Sequence, residues 1–239
     1  RKGTQLAREA GCDMVVGFGG GSALDAGKAV AALLANGGDP LDYLEVVGRG
    51  RPLTRPSAPY VAVPTTAGTG SEVTKNSVLI NKKNGWKASI RHIFMIPKVA
   101  IVDPKLTLTM PPNITANTGM DALTQAIESY VSLKSNPLSD ILAINAISII
   151  GKNLEGAVKH GDNLEYRKNM AFGSLIGALA FANSGLGGIH GVAHPIGADF
   201  KIPHGELCAI LLPEFMEYNK NYAKEKYLNI AKALDPKNN

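Results

Sequence analysis

The stretch that most constrains the fold is MVVGFGGGSALDAGKAVAALLANGG, residues 14–38. An apolar run, MVVGF, ends at a glycine cluster, and the segment after the glycines has apolar residues at helical spacing. This order predicts a buried strand, a glycine-rich turn and a helix, which is the building block of a parallel α/β sheet. We expect Ser22 to cap the helix at its N-terminus and Gly37 to end it.

The rest of the chain changes character near Pro111. Before it, PYVAVP at 59–64 predicts a second buried strand, and three further short runs predict strands at 77–81, 86–91 and 98–103. After it, the spacing of apolar residues favours helices, with few strand signals. The sequence therefore predicts an α/β domain over 1–110, followed by an all-α domain over 111–239.

Composition and charge exclude several classes of protein. The net charge of +5 is modest, and the basic stretches lack interleaved aromatic residues, which argues against nucleic-acid binding. Apolar runs such as ILAINAISII are too short or too interrupted to span a bilayer, and we see no signal peptide. Cys12 and Cys208 lie in apolar contexts, where we expect each to behave as a small hydrophobe in a reducing cytoplasm.

Two polar loops follow the first two predicted strands. GFGGGS at 17–22 allows an anion to approach the backbone and the N-terminus of the next helix. PTTAGTGSE at 64–72 concentrates hydroxyl groups that can donate to phosphate or ribose oxygens, and both loops would meet at the carboxyl edge of the sheet. Each loop can also be an ordinary connection. A Walker A loop is excluded because Ala29 follows Lys28.

Three of the five histidines lie within GGIHGVAHPIGADFKIPHGE, residues 187–206: His190, His194 and His204. On a helix, positions 190 and 194 share a face, as do Asp121 and position 125. A carboxylate combined with imidazoles suits Fe²⁺, Zn²⁺ or Mn²⁺. The alternative is structural: Asp121 would then only complement a helix dipole, and the histidines would be core residues.

The order of these motifs resembles a known family. GGGSALDAGKA, PTTAGTGSEVT, TGMDALTQAIESY and GGIHGVAHPIGADFKIPHGELCAILLP together are similar to the iron-containing (group III) alcohol dehydrogenases. The resemblance implies a dehydroquinate synthase-like fold, with a nucleotide-binding α/β domain before an all-α metal-binding domain. It also implies NAD or NADP, a divalent metal such as Fe²⁺ or Zn²⁺, and interconversion of an alcohol with an aldehyde or ketone. Members of this family extend further at both ends.

The resemblance assigns roles to individual residues. Cofactor contacts are implied for Gly20, Gly21, Ser22, Thr65, Thr66, Thr69, Asn76 and Lys87. Metal ligation is implied for Asp121, His190 and His204, and a proton-relay role for His194. The family commonly has a histidine four residues after the ligand aspartate, where this chain has Gln125. A neutral amide oxygen is a weaker ligand than imidazole. Gln125 therefore implies a weakened site, a different metal preference or a site without tightly held metal.

Other functions on the same scaffold stay open at the level of the sequence. They are reduction of a keto acid or maleylacetate, hydroxyacid–oxoacid transhydrogenation, and a non-catalytic truncated homologue. The resemblance implies a small alcohol or aldehyde as substrate, a homodimer or larger homo-oligomer, and a cytoplasmic location. Neither a nucleic acid nor a membrane is expected as a partner.

Overall fold

The computed structural model describes residues 1–80 and 87–235. They form two compact units. The first comprises Arg1–Thr65 and Ser71–Val102, and the second comprises Thr66–Gly70 and the chain from Asp103 onward. The first unit is the predicted α/β part and the second is helical, so the predicted fold class is confirmed. The division into functional domains at 110/111 stays a prediction.

The first unit contains a three-stranded parallel sheet and a separate antiparallel hairpin. Its helices are α1 (Lys2–Glu9), α2 (Gly21–Asn36) and α3 (Pro40–Tyr43), and its strands are β1 (Val15–Gly19), β2 (Tyr60–Pro64), β3 (Asn76–Ile80), β4 (Lys87–Arg91) and β5 (Val99–Ala100). The sheet order is β1-β2-β5, and Gly19 pairs with Pro64. The loops after β1 and β2 therefore leave the sheet at the same carboxyl edge.

Tyr60 joins the sheet to helix α2. Its ring is buried, and its hydroxyl donates a hydrogen bond of 2.8 Å to the carbonyl oxygen of Leu24. The ring fits because two neighbouring glycines have no side chain: a Cβ on Gly17 or Gly27 would lie 2.0 or 2.8 Å from the nearest Tyr60 atom. Val16, on the same strand as Gly17, is 56% exposed, so α2 covers one face of the sheet and part of the other is open.

Two details of the sequence prediction are wrong in this unit. Ser22 is not the N-cap, because the carbonyl of Gly20 already accepts hydrogen bonds from the third and fourth residues after it, and the helix begins at Gly21. The run KVAIVD pairs with β2 only over Val99–Ala100. Shortly after that pair, Asp103 caps a short 3₁₀ helix, Pro104–Thr107, which ends the extended backbone. Two residues of the other predicted strands, Asn81 and Trp86, lie outside the described residues.

The second unit is built from six helices among its described residues. They are α4 (Pro112–Val131), α5 (Pro137–Lys159), α6 (Leu164–Ser184), α7 (Gly188–Phe200), α8 (His204–Asn219) and α9 (Lys224–Leu234). Helix α4 packs against α5, α6, α8 and α9, and α7 packs against α8. Helix α4 is thus central, and twelve of its residues are buried.

Helix α5 is longer than its apolar run suggests. Its 23 residues have the length and hydropathy of a bilayer span. The sequence prediction that this region is too short or too interrupted to span a bilayer is wrong on these two criteria. The helix packs against α4, α6 and α9, with Ala143, Ala146, Ile147 and Ile150 fully buried. Long apolar core helices meet the same length and composition criteria, and 28% of the most apolar stretch of α5 is buried.

Candidate metal and cofactor sites

One face of α4 carries the acidic half of the candidate metal site. Asp121, Gln125 and Glu128 are spaced four and three residues apart, so they lie on the same side of the helix. All three are buried, with 4 to 5% of each residue exposed. A buried carboxylate is stable only where a cation or hydrogen-bond donors compensate its charge, and two carboxylates on one helix face need more than one such partner.

Helices α7 and α8 supply those partners. His190 and His194 lie one turn apart on α7, and His204 and Cys208 lie one turn apart on α8. Helix α8 comes very close to α4 at Gly205, where a Cβ would lie 1.8 Å from the backbone oxygen of Asn117. Only glycine permits this approach, which brings the first turn of α8 next to Asp121.

Four donor atoms converge on one point. Asp121 Oδ1 lies 3.2 Å from His190 Nε2, 3.7 Å from His204 Nε2 and 4.0 Å from Cys208 Sγ. Cys208 Sγ is 3.8 Å from His204 Nε2, and all four donors lie within 4.8 Å of one another. Oxygen, imidazole nitrogen and sulfur at such separations form the donor set of a four-coordinate transition-metal site. These residues fit a divalent cation.

Glu128 orients His190 from behind. Its Oε2 lies 2.5 Å from His190 Nδ1, and its Oε1 accepts a 2.7 Å hydrogen bond from the backbone N–H of Ile189. Burial alone would lower the pKa of His190, but hydrogen bonds to Asp121 and Glu128 raise it to about 9. A carboxylate on the far nitrogen fixes the ring so that Nε2 faces the donor cluster, as in carboxylate–histidine–metal arrangements.

Gln125 lies inside the cluster, where the resemblance places a histidine. Its Nε2 donates a 3.0 Å hydrogen bond to Asp121 Oδ1. Its buried Oε1 has no hydrogen-bond partner among the described residues. An unsatisfied buried amide oxygen is costly, and a cation or water beside it would remove the cost. The amide therefore adds to the fit of the site to a cation.

His194 lies beside the donor set rather than in it. Its ring stacks on that of His204, with centroids 4.8 Å apart and planes 12° from parallel, and its centroid lies 6.4 Å from that of His190. The residue is half-buried. A titratable group next to a metal site and still open to solvent is well placed to move protons.

The first cofactor loop and the start of the second meet at the sheet edge. The N–H of Thr65 donates a 2.9 Å hydrogen bond to the carbonyl of Gly19. The first turn of α2 contains Gly21 and Ser22, whose N–H groups precede any intrahelical acceptor. Thr66 and the three residues after it belong to the helical unit.

The remaining predicted cofactor residues lie on the hairpin. Asn76 pairs with Arg91 at one end, and Lys87 pairs with Ile80 at the other. Asn76 and Lys87 therefore share a face of the hairpin but lie at its opposite ends. The structure does not bring their side chains together.

A buried polar network links α2 to the segment that follows the second loop. Lys28 Nζ donates 2.8 Å hydrogen bonds to the carbonyls of Thr74 and Asn76. Asp25 accepts hydrogen bonds of 2.6 Å from the Ser71 hydroxyl and 3.0 Å from the N–H of Val78. These bonds fix the backbone on which Asn76 lies.

Sequence reasoning missed Glu128 and Cys208. Glu128 stands seven residues after Asp121, and Cys208 four after His204, so helical spacing places each beside a predicted ligand. The prediction of a small hydrophobe is wrong for Cys12, which is exposed. Cys208 is fully buried in the core as predicted, and its sulfur also lies near Asp121 and His204. Burial together with Asp121 and Glu128 raises the pKa of the Cys208 thiol.

A cleft of about 520 Å³ in the helical unit borders the site at Glu128. Its walls are mostly apolar and include Ile127, Leu212 and Phe215. None of the four converging donors lines it. The cleft is therefore separate from the space where a cation would bind.

Comparison with known proteins identifies the family. Residues 1–104 match the profile described as iron-containing alcohol dehydrogenase, and residues 115–239 match that of the Fe-containing alcohol dehydrogenase family, C-terminal. A similar protein, the probable alcohol dehydrogenase EutG of Salmonella typhimurium, is 48% identical over 96% of this chain and 57% of its own length.

Solved structures agree with this family. The crystal structure of a 1,3-propanediol oxidoreductase is 42% identical, with a TM-score of 0.93 over 98% of this chain and 60% of that one. A sulfoacetaldehyde reductase from Bifidobacterium kashiwanohense, in complex with NAD+, is 42% identical, with a TM-score of 0.86 over 90% and 57% of the two chains. The chain thus spans about three fifths of the length of the relatives that it matches. It belongs to the iron-containing alcohol dehydrogenase family.

Proposed function

We propose that the protein is an oxidoreductase that interconverts an alcohol and an aldehyde or ketone, using NAD or NADP and a divalent cation. The observation that carries this proposal is the convergence of Asp121, His190 and His204 donors on one point. Bound at their sites, the cation supplies Lewis acidity towards the substrate oxygen and the nicotinamide carries the hydride. The substrate is a small alcohol or aldehyde.

Residues of this chain bind and orient these groups. Asp121, His190 and His204 hold the cation, and Glu128 keeps the His190 ring in place through its Nδ1. Gly20, Gly21 and Ser22 would contact the pyrophosphate, and Thr65, Thr66 and Thr69 would contact the phosphates and the nicotinamide. Asn76 and Lys87 contact the rest of the cofactor. His194 exchanges the hydroxyl proton with solvent.

We further propose a cytoplasmic enzyme that forms a homodimer or larger homo-oligomer and binds neither nucleic acid nor membrane. Sedimentation velocity on the full-length protein tests the oligomeric state, and a purely monomeric species contradicts it. In this proposal Gln125 is a weak ligand at most, because its Nε2 donates a hydrogen bond to Asp121 Oδ1.

The decisive experiment measures NAD(P)H absorbance with the full-length protein, after loading with Zn²⁺ or Fe²⁺. Short primary alcohols, diols, aldehydes, 2-keto acids and maleylacetate are compared as substrates. We expect turnover of alcohols and aldehydes, and its loss in Asp121→Ala. Turnover of the acids alone would establish one of the rival reactions. Cofactor binding without turnover of any substrate would point to a non-catalytic homologue.

A further inference from the structure

The residue that this inference concerns is Cys208, one turn after the start of α8. It is fully buried, although a small apolar residue would satisfy the packing of a core position equally well. Its sulfur instead faces polar atoms, 3.8 Å from His204 Nε2 and 4.0 Å from Asp121 Oδ1. A thiol buried beside an imidazole and a carboxylate occupies a position that suits a metal ligand.

The separations from Asp121 to the other donors, and from His204 to Cys208, are close to those around a four-coordinate zinc ion. With Zn–N and Zn–O near 2.0–2.1 Å and Zn–S near 2.3 Å, tetrahedral donors lie about 3.3 to 3.6 Å apart. The distances from Asp121 Oδ1 to the nitrogens are 3.2 and 3.7 Å, and the two involving sulfur are 3.8 and 4.0 Å. The two remaining pairs join His190 to His204 and to Cys208, and all six separations lie within 4.8 Å. The widest pair would therefore close by up to about 1.2 Å around a tetrahedral ion.

Gln125 gives an independent reason to look for another ligand. Its Nε2 donates to Asp121, and its buried Oε1 has no hydrogen-bond partner among the residues that the structure describes. In this orientation the Gln125 amide holds Asp121 through its nitrogen. Its oxygen is a weaker metal ligand than an imidazole nitrogen. Among the converging donors, the Cys208 sulfur is the one other than those of Asp121, His190 and His204.

We propose that Cys208 is a metal ligand, so that this chain holds its cation with one carboxylate oxygen, two imidazole nitrogens and one thiolate. The inference rests on the proposed function only in taking Asp121, His190 and His204 as ligands. As the metal–sulfur bond forms, the thiol proton passes to solvent and no atom changes oxidation state. A thiolate in place of a nitrogen or oxygen donor favours Zn²⁺ over harder cations such as Mn²⁺.

The test uses Co²⁺ as a spectroscopic substitute for Zn²⁺ in the full-length protein, with no substrate or cofactor. We expect a thiolate-to-cobalt charge-transfer band in the near ultraviolet, together with visible bands of four-coordinate cobalt. Cys12→Ser is the matched control, because Cys12 is exposed, and it should keep the band. Cys208→Ser should lose the band, and Gln125→Leu should keep it.

Competition with a chelator gives the second measurement. We expect Cys208→Ser to weaken Zn²⁺ binding at least about tenfold, since even loss of a partner behind a ligand costs 10- to 100-fold. Mn²⁺ binding should change less. Cobalt bound by the unsubstituted protein without a charge-transfer band would overturn the role of Cys208 alone and leave the proposed function standing. Failure to bind cobalt or zinc at all would overturn both.

Discussion

At the scale of single residues, we expect Glu128 to determine how firmly His190 binds a cation. Its carboxylate faces His190 Nδ1 and also accepts the N–H of Ile189. In Glu128→Gln, an amide nitrogen or a neutral oxygen replaces one of these anionic acceptors, so the ring loses its fixed orientation. We expect divalent-metal affinity to fall about 10- to 100-fold. Chelator competition measures this metal affinity, with the exposed Glu217→Gln as the control. Equal metal affinities in the two variants would show that Glu128 does not support His190.

His194 should affect catalysis without affecting metal content. Its ring stacks on His204 but its nitrogens are not among the four converging donors. Because general acid–base groups contribute about 10² to 10⁴ in rate, we expect His194→Gln to lower kcat about 100-fold or more. Metal analysis should find the variant as fully loaded as the unsubstituted protein, whereas His190→Gln loses metal. Metal lost equally in both variants would make His194 a ligand instead.

Lys28 makes folding stability depend on pH. Burial lowers its pKa from 10.5 to about 8, against the opposing effects of Asp25 and Glu72. Between these two values the unfolded chain binds more protons than the folded chain, so the contribution of Lys28 to stability rises with pH. We expect the stability of the unsubstituted protein to increase relative to Lys28→Met between pH 7.5 and pH 9.5. Urea denaturation measures the difference, and parallel pH profiles would disprove the prediction.

At the scale of elements, the contact between α8 and α4 assembles the candidate site. Helix α8 carries His204 and Cys208, helix α4 carries Asp121, and Gly205 lets the two backbones meet. No side chain can relieve a clash with a backbone carbonyl, so a larger residue at position 205 must push the helices apart. The site is therefore as sensitive to this helix contact as to its ligands.

We accordingly expect Gly205→Ala to destabilise the protein by about 1–3 kcal/mol and to weaken metal binding. Gly191→Ala is the matched control in α7, because a Cβ there meets nothing within 4 Å. That substitution should be neutral or stabilising by roughly 0.5–1 kcal/mol, since alanine favours a helix over glycine. Thermal denaturation and chelator competition on both variants test the pair. Unchanged metal affinity in Gly205→Ala would show that the contact between α4 and α8 does not determine the geometry of the metal site.

At the scale of the whole molecule, metal binding and folding should be coupled. The donors come from α4 and, 69 or more residues later in the chain, from α7 and α8, so an unfolded chain has no preformed site. A cation that binds only the folded state stabilises it by about 2.7 kcal/mol at one hundred times its dissociation constant. We expect Zn²⁺ to raise Tm and a chelator to lower it. In Asp121→Asn the shift should disappear, and a shift of the same size there would place the binding elsewhere.

The segment around the first loop shows how much of the secondary structure can be predicted from neighbouring residues. A continuous apolar run, glycines and helical periodicity predict β1, the turn and α2 correctly, because these elements depend on neighbouring residues. The N-cap was wrong by two residues because glycine and serine are both acceptable caps, and only the hydrogen bonds to the Gly20 carbonyl choose between them.

The sequence by itself determined the fold class and the two polar loops that follow the first two strands. The resemblance of its motifs to a known family predicted Asp121, His190 and His204 as metal ligands. Only the tertiary structure decided that Glu128 lies behind His190, that Gln125 holds Asp121, and that Cys208 turns into the cluster. Periodicity tells which residues share a helix face, but it does not tell which faces oppose each other. Here that depends on the backbone contact of Gly205 with Asn117, two residues that are distant along the chain.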